Sequence, residues 1–135
     1  MSFREKSAWI TLVSILLVSA VYLVHGPWAL PPGLRAHGLG MMLALFVLIE
    51  VVAHVVIAVR APKDARAPRD EREELIELKA TRVAAYVFVI GTFSAVGTLH
   101  LGTGGGTVGY FIVLAFVVAE VVNYGTRIFY HRRGF

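Results

Sequence analysis

Four long apolar runs dominate the chain, each ending at a charged, histidine or glycine position. Residues 8–24 are closed by His25-Gly26-Pro27, and residues 38–59 by Arg60. Residues 83–99 are entered from Arg82 and closed by His100, and residues 108–124 lead into Arg127. Each run has roughly the 17–25 residues that a helix needs to cross a hydrocarbon core about 30 Å thick. The runs are continuous rather than alternating, which argues against membrane strands. A helix also satisfies every backbone polar group within its own segment, as lipid demands. The pattern therefore predicts an all-α membrane protein with a bundle of four transmembrane helices. The first run, preceded by Arg4 and Lys6, also has the layout of a cleavable signal peptide, with Val18-Ser19-Ala20 as a cleavage site. Its continuation to Val24 favours a retained span.

The long polar segment lies between the second and third runs. Ala61-Pro62 to Ala67-Pro68 reads as a loop of mixed charge. Asp70 is then a good N-cap, with Glu73 at the capping-box position. Glu71, Glu73 and Glu74 suit the positive end of a helix. A helix is expected to start near Asp70 and run into the third span, with Leu75, Ile76 and Leu78 giving it an apolar side. That side either packs on the protein's own bundle or docks a cytoplasmic partner.

Composition agrees with the hydropathy. Apolar residues make up 57% of the 135 residues and mean hydropathy is +0.71, against about 45–50% apolar residues in a soluble domain. Cysteine is absent, which excludes disulfides, thiolate metal sites and cysteine nucleophiles. The pI of about 9.8 reflects topology rather than nucleic-acid binding. Of the 13 Lys and Arg residues, all but Arg35 lie before the first run, between the second and third, or after the fourth. The expected orientation therefore has both termini and the central loop in the cytoplasm of a plasma (inner) membrane, with 25–37 and 100–107 outside.

The halves resemble each other. Ser19-Ala20-Val21-Tyr22-Leu23-Val24-His25 closes the first span, and Ser94-Ala95-Val96-Gly97-Thr98-Leu99-His100 closes the third. Glu50-Val51-Val52 and Glu120-Val121-Val122 lie at matching depths in the second and fourth. Two tandem hairpins are expected, residues 1–60 and 83–135, joined by the loop and helix extension 61–82. As parallel repeats they would be related by a pseudo-twofold axis along the membrane normal. The pairs Gly91/Ala95 and Ser94/Thr98 have the spacing of close helix packing.

Glu50 and Glu120 are the positions where chemistry is most expected. Glu50 is ten residues from Arg60, about 15 Å along a helix. A carboxylate near the bilayer centre costs about 2.5–3.5 kcal/mol and must find a partner or a proton. His54 lies one turn beyond Glu50. Asn123 and Tyr124 stand in the same relation to Glu120. Glu50, His54, Glu120, Asn123 and Tyr124 form one candidate polar cluster, serving as a proton-accepting site or as polar glue between helices. His25, His37 and His100 fall at outer span ends and form a candidate haem or divalent-metal site, although their spacing matches no metal motif. Gly102-Thr103-Gly104-Gly105-Gly106-Thr107 lacks the Gly-Lys-Ser/Thr ending of a phosphate loop and reads as a hairpin turn.

The stretch Asp70-Glu71-Arg72-Glu73-Glu74-Leu75-Ile76-Glu77-Leu78-Lys79-Ala80-Thr81-Arg82, leading straight into a span, resembles small bacterial four-helix membrane proteins of uncharacterised function. In that group an Asp-Glu-Arg-(Asp/Glu) run precedes the third span. The resemblance covers the second half of the chain better than the first. It implies the same four-span architecture and carries over no activity and no site residue. The leading expectation is a non-enzymatic membrane module, able to self-associate, that binds a partner protein through 63–82, with Asp70, Glu71, Arg72, Glu73, Leu75, Ile76 and Leu78 as the contact. A proton-linked carrier or channel using Glu50 and Glu120 comes second. A haem or metal protein using His25 and His100 comes third.

Overall fold

The computed structural model describes residues 3–29, 32–60, 62 and 70–133, with the backbone alone at 3, 25–29, 32–39, 42 and 43. The described residues are helical, with no strand among them: α1 (Phe3–Ala29), α2 (Pro32–Arg60), α3 (Glu71–Gly97) and α4 (Gly105–Arg133), with a 3₁₀ turn over Thr98–Leu101. Three stretches are long and apolar enough to cross a membrane: Arg4–Val24, Glu71–Leu101 and Gly105–Arg133. The expected fourth crossing, residues 38–59, falls on α2, whose backbone is described while the side chains at 38, 39, 42 and 43 are not.

Contacts divide the chain into two compact units, Met1–Pro68 and Arg69–Phe135. In the first, α1 packs on α2. The buried positions of α1 are Ala8, Thr11, Ser14, Ile15 and Val18, a stripe recurring every three to four residues on one face. Ser7 meets His54 and Thr11 meets Glu50, so the helices run antiparallel. The helices also claim most of the outer loop expected at 25–37: α1 continues through Gly26-Pro27 to Ala29 and α2 starts at Pro32. Proline is favoured in the first turn of a helix.

In the second unit α3 packs on α4. The helix begins where the capping signal placed it. Asp70 is the N-cap of α3, and Glu73 Oε2 accepts from the Asp70 backbone N–H at 3.4 Å. Small residues fill the interface. Ile76, Ala80, Ala84 and Ala95 are buried on α3, and Val108, Ala115, Ala119, Asn123 and Ile128 on α4. The bulky residues turn outward instead, with Phe93 76% exposed and Leu101 82%. In water such a surface would drive association; in a bilayer it is the face that lipid solvates. Gly91 marks the closest approach, because a Cβ built there would lie 2.6 Å from the Ala115 Cβ. On α3 Ser94 is exposed, and Thr98 just past its end is half-buried. Their hydroxyls donate to their own helix, to the carbonyls of Ile90 (2.8 Å) and Ala95 (2.7 Å).

Past Leu101 the chain reverses at Gly102, whose φ of 81° is left-handed, a conformation glycine adopts without a Cβ penalty. Its N–H donates to the Leu99 carbonyl at 3.0 Å, and Thr103 Oγ1 donates to Thr98 Oγ1 at 2.8 Å.

The Gly91 contact leads to a direct prediction. Gly91→Leu should destabilise the second hairpin by about 1–3 kcal/mol, the usual cost of overpacking, and lower the thermal midpoint in detergent. Gly109→Ala, whose Cβ meets nothing within 4 Å, should leave the midpoint unchanged or raise it.

Candidate intramembrane polar site

The first hairpin holds a connected set of polar side chains inside an apolar stretch. Thr11 is only 4% exposed, and its Oγ1 donates to Glu50 Oε2 at 2.8 Å. His54 follows Glu50 by one helical turn. Its Nδ1 lies 2.8 Å from the Glu50 carbonyl oxygen and 3.4 Å from Glu50 Oε2. Both neighbours are acceptors, so Nδ1 carries the proton. In the neutral ring, Nε2 then accepts from the Ser7 hydroxyl at 2.7 Å. The chain runs Ser7, His54, Glu50, Thr11, crossing between helices twice. It leaves one group over: Glu50 Oε1 is buried and has no hydrogen-bond partner among the described residues. Ser14, 7% exposed, lies one turn beyond Thr11 on the same buried stripe.

The second hairpin treats its glutamate differently. Glu120 Oε2 accepts from Asn123 Nδ2 at 3.4 Å, within its own helix. Asn123 is 8% exposed, and its Oδ1 accepts from Arg127 Nε at 3.2 Å. Arg127 Nη2 reaches across to Glu77 Oε1 on α3 at 3.3 Å. The Arg127 guanidinium also lies over the Tyr124 ring, 5.2 Å from its centroid. Lys79 sits 5.8 Å from the Tyr130 ring centroid. Together these contacts clamp the charged start of α3 against the end of α4.

The expected five-residue cluster is thus distributed over the two units. Glu50 and His54 belong to the first; Glu120, Asn123 and Tyr124 belong to the second. Sequence reading missed Ser7, Thr11 and Ser14 of the first set and Glu77 and Arg127 of the second. Hydroxyls spaced four and three apart on α1 were the available signal for the first set.

The other candidates fare as follows. Asp70, Glu71 and Arg72 are exposed and Glu73 is half-buried. Leu75 and Leu78 are exposed by 56% and 64%. Ile76, expected with them on a partner-binding surface, is instead 4% exposed and taken up by the α3–α4 interface. It occupies the position one turn before Ala80, on the face that packs inward. The side chains of His25 and His37 lie outside the described residues, and His100 is exposed on the 3₁₀ turn. Among the described residues no group of three or more His, Asp or Glu side chains is placed to hold a metal ion.

Comparison with protein-family models, curated proteins and solved structures finds no match to this chain.

Proposed function

We propose that this is a non-enzymatic, proton-linked carrier or channel of the bacterial inner membrane, with Glu50 as its proton-accepting group. The observation that carries the reading is the unequal treatment of the two Glu50 oxygens. Oε2 accepts from Thr11 and adjoins the His54 N–H, whereas Oε1 is buried without a partner. A carboxylate kept only to join helices would be expected to have both oxygens bonded, because an unmade hydrogen bond in an apolar interior costs about 1–3 kcal/mol. A carboxyl group with one oxygen beside an imidazole and the other left open is suited to taking up a proton. The protein crosses the membrane four times in this reading, as two hairpins with pseudo-twofold symmetry and both ends in the cytoplasm. Glu120, bonded within its own helix, plays the smaller part.

Glu50→Gln should keep the Thr11 bond through the amide oxygen yet reduce proton uptake into liposomes, driven by an imposed potential and read by an internal pH dye, by about ten-fold or more, a modest share of what positioned proton transfer contributes. An unchanged rate rejects the reading. Glu120→Gln should lower the rate less.

The orientation has its own check. The chain lacks cysteine, so single cysteines report accessibility. Gly33→Cys and Gly104→Cys should label with an impermeant maleimide from outside intact cells. Arg60→Cys and Arg133→Cys should label only after the membrane is opened. Labelling of Arg60→Cys and Gly33→Cys from the same side removes the second crossing.

A second reading, docking of a cytoplasmic partner protein on the start of α3, draws on Leu75 and Leu78. Both are exposed on a helix whose Ile76 and Ala80 are buried, so they form an apolar edge among the charges of Glu71, Arg72 and Glu74. Pull-downs with Leu75→Ser and Leu78→Ser together should lose the partner that the unaltered protein recovers. Equal recovery sinks this reading.

A further inference from the structure

The order of groups in the first hairpin has a direction. Ser7 lies one turn inside the start of α1, and His54 lies six residues before the end of α2. Both are therefore nearer the open end of the hairpin than Thr11 and Glu50, which lie about 6 Å deeper at 1.5 Å per residue. His54 is also the more accessible of the pair, its side chain 40% exposed against 16% for Glu50. A proton entering at the open end meets the serine hydroxyl first, then Nε2, then Nδ1, and only then the carboxylate.

We propose that His54 is the relay that loads Glu50 from the open end of the hairpin, with the Ser7 hydroxyl handing the proton to its ring. This rests on the reading of Glu50 as a proton acceptor and adds the route by which the proton arrives. The step balances without any outside reagent. Nε2 takes the Ser7 hydroxyl proton while that oxygen takes one from water or hydronium at the helix end. The imidazolium then gives its Nδ1 proton to Glu50 Oε2. The 3.4 Å separation shortens by about half an ångström to reach transfer distance, which a side-chain rotation supplies. The ring is left with its proton on Nε2 and returns to the Nδ1–H form by rotation or by exchange with water. Oε1 stays outside this exchange. The other charged groups near this end are Arg4, Glu5 and Lys6 on α1 and Arg60 on α2.

The two ideas separate in one experiment. Reconstituted protein is followed by infrared difference spectroscopy after a jump to low pH, reading the carboxylic C=O band that Glu50→Gln removes. With the relay intact, that band rises quickly. In His54→Ala it should reach the same amplitude about ten-fold or more slowly, within the range expected for loss of a positioned proton-transfer group. Added imidazole should restore much of the rate. His54→Gln keeps a donor and an acceptor for its neighbours, so it guards against a folding defect, and it should be equally slow. Ser7→Ala should slow the rise by a smaller factor. A wild-type rate in both His54 variants overturns the relay and leaves the Glu50 reading standing. So does slowing that imidazole does not relieve, since that marks a purely structural role. Absence of the band from the unaltered protein overturns the Glu50 reading and the relay with it.

Discussion

Polar groups within the apolar stretches of this protein have to be satisfied from within. A backbone donor or acceptor facing hydrocarbon has no water to turn to, so the described residues form helices and a single short 3₁₀ turn. The same constraint governs the side chains. Ser94 and Thr98 fold their hydroxyls back onto their own helix, and Thr11 spends its hydroxyl on Glu50. Among the described residues two buried side-chain oxygens lack a partner, Glu50 Oε1 and Thr92 Oγ1, and of the two only the carboxylate is ionisable.

The two hairpins use the constraint in different ways. The first is joined by side-chain hydrogen bonds between residues 39 and 47 positions apart. The second is joined by alanine and glycine surfaces that let the backbones approach, with a charged clamp at one end. Glu50 is bound across its hairpin, while Glu120 is bound to Asn123 on its own helix. His54 follows the first glutamate by one turn and Tyr124 the second, and only the imidazole can pass a proton between its two nitrogens.

Much of the fold was legible because hydropathy and capping are local. The runs marked the helices, and Asp70 with Glu73 marked where α3 begins. The face shared by Glu50 and His54 followed from their spacing of one turn. The partners of that face were not legible. Hydroxyl residues hardly disturb an apolar run, so Ser7 and Thr11 carried no hydropathic signal, and their pairings span most of the unit. Ile76 read as an apolar neighbour of Leu75 and Leu78 because periodicity in a short amphipathic segment does not reveal which side meets another helix. The outer loop was expected at 25–37 because glycine and proline commonly end helices, whereas α1 runs on through Gly26 and Pro27 to Ala29.

The lengths of α3 and α4 carry a consequence for the membrane that surrounds them. Helices of 27 and 29 residues measure about 40 Å and 44 Å, well beyond a hydrocarbon core of about 30 Å. The surplus is not interchangeable between the two ends, because Glu77, Lys79 and Arg127 fix one end as charged while Leu101 and the glycines leave the other short of charge. A hairpin built this way can adjust to a thicker bilayer by standing more upright and drawing in its uncharged end, but a thinner one leaves it only tilt. The ion pair between Glu77 and Arg127 thus acts as a depth mark, setting which leaflet the protein holds to when the thickness of its membrane changes.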